Sequence, residues 1–147
     1  MTEHCFWRFS RALHRAINDR CLNGLDDLIH EDVDRALYGP IDMFPFLGTR
    51  HGKHAVLDVI RHIAANVHIR RFDREATMLS ADSAASMLRY SLTPRDCDKP
   101  IALRLAQFAH FKAGRVISMR VLVDTFDLVE QALVRPIHLP KIINKGQ

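Results

Sequence analysis

The segment from Ile101 to Asp124, IALRLAQFAHFKAGRVISMRVLVD, constrains the fold more than any other. Apolar and polar side chains alternate along it with a period of two on both sides of a Lys-Ala-Gly break. That period belongs to strands whose two faces meet different surroundings. Segments 71–79 and 83–92 also read as strands, closed by Ser-Ala-Asp-Ser and by Thr-Pro-Arg-Asp-Cys-Asp-Lys-Pro. Residues 71–123 therefore predict an antiparallel meander of four strands: 71–79, 83–92, 101–111 and 115–123.

The earlier part of the chain carries the helical period instead. Phe6, Phe9, Leu13, Ala16 and Ile17 recur at three and four and predict a helix over 3–20. Asn23-Gly24 ends it, Leu-Asp-Asp-Leu-Ile-His-Glu-Asp reads as a short second helix, and 33–38 as a first strand stopped by Gly39-Pro40. Val56, Val59, Ile60 and Ile63 then define a helix that ends near His68. Between strand and helix, IDMFPFLGTRHG reads as an irregular loop whose Met43, Phe44, Phe46 and Leu47 must find a place to be buried. A short helix over 126–133 and a basic, proline-containing tail close the chain. Helices followed by an antiparallel meander predict an α+β fold, a cone-shaped curved sheet wrapped around the N-terminal helices. The length of 147 residues fits a single domain over 1–135 with a tail over 136–147.

Which face of the sheet is inside depends on the last hairpin. A three-residue loop with Gly114 alone in the left-handed region spares Ala113 a positive φ. Pairing Phe111 with Arg115 then puts Leu103, Leu105, Gln107, Ala109 and Phe111 on one face with Met119, Val121 and Val123. That face is apolar except for Gln107, a lone amide that needs a partner. The other face carries Arg104, Ala106, Phe108, His110, Ser118, Arg120, Leu122 and Asp124. It is too apolar to be simply solvated, which predicts a homodimer through the outer sheet face with His110 and Arg120 at the contact.

Composition excludes several function classes. A net charge of +4 invites a nucleic-acid reading, but the basic residues are scattered, and their densest cluster, His-Ile-Arg-Arg-Phe-Asp-Arg, is interrupted by Asp73. No apolar run is long enough for a membrane span, so a soluble protein with neither nucleic-acid nor membrane partners is expected. Three cysteines without Cys-x-x-Cys spacing read as reduced thiols of a cytoplasmic protein. His51 and His54 have helical spacing but no third ligand nearby, so no metal is expected. No nucleotide, flavin or haem motif is present, so neither is a cofactor.

The motifs AINDRCLNGLDDLI, RHGKHAVLDVI and AGRVISMRVL, in this order within Phe9–Gln131, resemble the nuclear transport factor 2-like superfamily, which includes ketosteroid isomerase and the SnoaL-like polyketide cyclases. The resemblance implies a cystatin-like α+β barrel with a small-molecule pocket. It does not carry the relatives' catalysts over. The aspartate base of ketosteroid isomerase falls at Leu37 or beside it, with Asp34 and Asp42 flanking that position, its tyrosine at Leu13, and its protonated carboxylic acid at Gln107. The catalytic aspartate that SnoaL-like cyclases place on the last strand falls at Val121, while Asp124 matches their second aspartate.

Three functions fit these residues. The first is binding of an apolar or amphipathic small molecule, with Gln107 fixing a polar end. Tyr38, Tyr90, Leu105, Met119, Val121, Trp7, Phe44 and Phe46 would line or close the pocket. The second is an isomerase, cyclase or hydrolase of a small polyketide- or steroid-like substrate. There Asp124 would be the general acid or base, and Tyr38 or Gln107 the polarising donor. The third is a dimeric interaction module whose cone is filled by its own side chains. Asp124 also reads as an N-cap of the helix after it, with no chemical role.

Overall fold

The first helical period folds as α1, Cys5–Asp19, and buries Phe6, Phe9, Ala12, Ala16 and Ile17. His4 caps it: Nδ1 accepts from the Phe6 N–H, while Nε2 donates to the Ser80 carbonyl at 2.6 Å and ties the helix start to a hairpin of the sheet. The computed structural model describes residues 3–38, 48–96 and 99–124. After α1 come a 3-10 turn (Asp26–Leu28), β1 (Ile29–Tyr38), β2 (Gly48–His51), α2 (Lys53–Asn66), β3 (Val67–Leu79), β4 (Ser83–Pro94), β5 (Ile101–Lys112) and β6 (Arg115–Val123). The helix expected over 126–133 lies outside the described residues.

The strands form one sheet in the order β2-β1-β6-β5-β4-β3, open at both ends. All neighbours are antiparallel except β1 and β6, which run parallel. Register shifts in the β1–β6, β3–β4 and β5–β6 pairs mark irregularities of the kind that bend and twist a sheet. The core forms where both helices meet the inner face: Phe6, Ile17, Val56 and Ile60 cluster with Ile29, Val33, Phe111, Val116 and Met119. Two polar side chains fix the helix ends. The Asn18 amide exchanges hydrogen bonds with the backbone of Ile69, at 3.0 and 2.7 Å. The Arg95 guanidinium donates to the Ala64, Ile17 and Asn18 carbonyls, satisfying acceptors that helix C-termini leave open.

Several expectations are corrected. The segment read as a second helix makes only the 3-10 turn, because Ile29 joins β1 opposite Val116 and is buried there. Part of the presumed irregular loop is β2, whose Thr49 and Arg50 pair with Ala36 and Arg35. α2 stops at Asn66, so β3 begins four residues before the expected strand start at Arg71. The last hairpin has a two-residue turn: Lys112 pairs with Arg115, and Ala113 and Gly114 adopt φ of 52° and 79°. Two positive φ values are what a turn matching the strand twist needs, and here that outweighs the strain at Ala113. The register then slips between Phe111–Val116 and His110–Ser118, leaving Ile117 as an extra residue. The bulge restores the phase, so Leu105, Gln107 and Ala109 share a face with Val123, Val121 and Met119.

Candidate ligand cavity

The inner face is not fully plugged by the helices. A cavity of about 400 Å³ opens between α1, α2 and the sheet, and its wall is overwhelmingly apolar. α1 contributes Phe9, Leu13 and Ile17, β1 Val33, Arg35 and Leu37, and β5 and β6 supply Leu103, Leu105, Gln107, Met119, Val121 and Val123. Among the described residues the polar lining side chains are Arg35, His62, Asn66, Tyr90 and Gln107. An apolar hollow with a few convergent polar groups has the composition of a small-molecule site.

Gln107 is 8% exposed and donates its amide to Met119 Sδ at 3.4 Å, a weak acceptor that a ligand oxygen would outcompete. Tyr90 reaches the wall from β4, and its hydroxyl lies 2.7 Å from His14 Nε2 on α1. The His14 ring stacks at a tilt on Phe72, 4.1 Å between centroids. Burial, and then the charge of Arg74, lower the His14 pKa to about 4, so it is neutral at pH 7. Burial likewise pushes the Tyr90 phenol upward, with Arg74 opposing weakly, so it is protonated.

Arg35 is 9% exposed, and its Nη1 has no hydrogen-bond partner among the described residues. Burial lowers its pKa to about 10, with the like charge of Arg50 adding to the effect, so the guanidinium is still cationic at neutral pH. The sequence reading passed over both Arg35 and His14. The alternation Val33, Arg35, Leu37 was the available signal for Arg35, since it places the arginine on the inward row of β1. His14 follows inward-facing Leu13, and nothing in the helical period alone marks it.

Of the residues singled out from sequence, Gln107, Tyr90, Leu105, Met119 and Val121 line the cavity. Tyr38 does not. Leu37 takes the inward position, so Tyr38 points outward and is 49% exposed. Trp7 is half-buried against the core, 4.9 Å from the Arg74 guanidinium, and does not line the cavity. Asp124 is exposed at the end of β6, where strand parity puts it on the outer face and its N–H bonds to the Arg104 carbonyl. Arg120 also lies on that face, opposite Phe108, so Arg120, Gln107 and Asp124 do not converge. Phe44 and Phe46 lie outside the described residues. His51 pairs with Asp34 at 2.7 Å, and no cluster of three or more potential metal ligands occurs among the described residues.

Residues 10–119 match the family described as the SnoaL-like domain. The chain belongs to that family, within the nuclear transport factor 2-like superfamily. A crystal structure from Rhodopseudomonas palustris is 58% identical, with a TM-score of 0.90 over 92% of this chain and 100% of the other. One from Bacillus subtilis is 16% identical, with a TM-score of 0.70 over 90% and 96%. Both of those proteins are named "Putative Isomerase". A nuclear transport factor 2-like protein of unknown function from Burkholderia pseudomallei is 18% identical, with a TM-score of 0.69 over 88% and 97%. No curated protein matches the chain.

In this SnoaL-like chain the positions that the resemblance matched to catalytic groups, Leu13, Leu37, Gln107 and Val121, all line the cavity, and only Gln107 among them is polar. Among the described residues no helix is long and apolar enough to cross a membrane. Cys5 and Cys21 are free thiols.

Proposed function

We propose that this SnoaL-like protein binds an apolar or amphipathic small molecule in the cavity, with Gln107 holding a polar end. The observation that carries this reading is a largely apolar hollow of about 400 Å³, lined by Leu13, Leu37 and Val121 at the positions that the resemblance matches to catalytic groups. Native mass spectrometry of freshly purified protein tests it, the expected result being a mass above that of the bare chain. Gln107→Leu is expected to weaken the copurified ligand by about 1–3 kcal/mol, the cost of stranding the ligand's buried polar group. Unchanged affinity in calorimetric titration would remove Gln107 from the site.

An enzymatic reading is favoured by the name carried by the 58% identical protein from Rhodopseudomonas palustris. In that reading Tyr90, protonated and on the cavity wall, is the polarising donor, with His14 bonded behind it. Asp124, exposed on the far face of the sheet, is poorly placed for it.

We further propose a homodimer through the outer face of the sheet. Tyr38, Leu122, Ala106 and Met87 are successive cross-strand neighbours there, with Phe108 alongside. Tyr38, Phe108, Leu122 and Met87 are 49%, 49%, 48% and 43% exposed, an apolar row of a kind that monomers rarely leave open. Arg89, Arg104 and Glu75 beside it supply both signs of charge, which lets the patch meet its own copy across a two-fold axis. Light scattering is expected to give twice the 16.9 kDa of one chain, and Leu122→Glu to return the mass to 16.9 kDa.

A further inference from the structure

The unpartnered nitrogen of Arg35 narrows the chemistry of the ligand. Another guanidinium of this chain shows how a structural arginine behaves. Arg95 spends its donors on three carbonyls at helix ends. Arg35, although more deeply buried, leaves Nη1 without an acceptor, and no ion pair among the described residues includes it. Among the described residues, the cavity wall it belongs to contains no aspartate or glutamate. Opposite it on β2 stands Arg50, which adds positive charge and neutralises none. A cation in such a wall is costly unless an anion arrives to meet it.

Position adds a second donor. Arg35 lies beside Met119 in the parallel β1–β6 pair, and the Met119 sulfur is what receives the Gln107 amide. Arg35 and Gln107 therefore both neighbour Met119, one by strand register and the other by its hydrogen bond, and both line one cavity. An oxyanion near Met119 would pair with the Arg35 guanidinium, which lines the cavity, and draw the Gln107 amide away from sulfur, since oxygen is the stronger acceptor. The rest of the wall would hold an apolar body.

We propose that the natural ligand is an apolar organic acid whose carboxylate ends on Arg35, with Gln107 as its second donor. This rests on the reading of the cavity as a ligand site, and the test separates the two. Calorimetric titrations at pH 7.5 would compare 2-naphthoate with 2-naphthamide, and decanoate with decanamide, on the unaltered protein and on Arg35→Met and Arg35→Lys. The acid of each pair is expected to bind about 10- to 100-fold tighter than its amide, the value of one buried charge-assisted hydrogen bond. Arg35→Met should abolish that preference while leaving amide affinity nearly unchanged, and Arg35→Lys should keep part of it.

Arg35→Met is also expected to melt several degrees higher without ligand, because it removes a buried unpaired charge. A lower melting temperature, or failure to fold, would mark the arginine as structural and count against the proposal. Equal binding of acid and amide to the unaltered protein would overturn the proposal and leave the cavity reading standing. If neither acid nor amide bound and native mass spectrometry found only the bare chain, both would fall.

Discussion

Acidification from pH 6.5 to 4 is expected to remove about 3 kcal/mol of folding stability through His14 alone, a shift from 6.5 to about 4 at 1.36 kcal/mol per unit. Above 6.5 the imidazole is neutral in both states and contributes nothing. Between the two values the unfolded chain takes up a proton that the folded protein refuses, because the ring is buried against Phe72 and Tyr90 and near Arg74. Stability therefore falls as pH falls, and the loss is complete below about 4. Glu3 and Glu75, lowered by their bonds to Arg11 and Arg104, add their losses only below the ordinary carboxylate value of 4.5. His51, raised by its bond to Asp34, acts with the opposite sign and loses its contribution as pH rises above 6.5. Urea unfolding at half-unit pH steps, on the unaltered protein and on His14→Gln, checks the expectation. The two curves should diverge between 6.5 and 4.5, and parallel curves would acquit His14.

Phe6→Ala is expected to cost about 3–5 kcal/mol, and Leu13→Ala, seven residues along the same helix, only about 1 kcal/mol. Phe6 is 1% exposed inside the core cluster, so its loss removes a large buried side chain and leaves a void. Leu13 faces a hollow that already exists, so truncation enlarges open space and strands few contacts. Such a drop for Phe6→Ala is a large share of the ~5–15 kcal/mol that folded domains have. Denaturant midpoints of the two variants measure the difference. Equal losses would mean that the region around Leu13 is packed core, which would favour the reading in which the cone is filled by its own side chains.

Much of the fold was legible because burial and period coincide. The 115–123 strand, the inward row of β5, the faces of α1 and α2, and the outward position of Asp124 follow from counting twos and threes along the chain. The candidate site was legible to the same depth: Gln107 stood out as the one polar residue on an apolar row, and it does line the cavity. Arg35 did not stand out. A single arginine in a short strand reads as an ordinary surface residue until neighbouring strands and a helix pack around it.

The alternation of side chains by itself determined which residues of β5 and β6 are buried together, because between bulges a strand cannot turn one residue over without turning the next. Only the tertiary structure decided what that phase does not encode. The turn at Ala113-Gly114 took the form that suits the twist of the paired strands, and the extra residue at Ile117 absorbed the resulting slip. The edge strand Gly48–His51 exists because β1 offers it hydrogen-bonding partners, not because four residues prefer that shape. The charge of Arg35 became a property of a cavity only when the sheet curved around the helices, since desolvation depends on everything that surrounds a group and on almost nothing in its own stretch of chain.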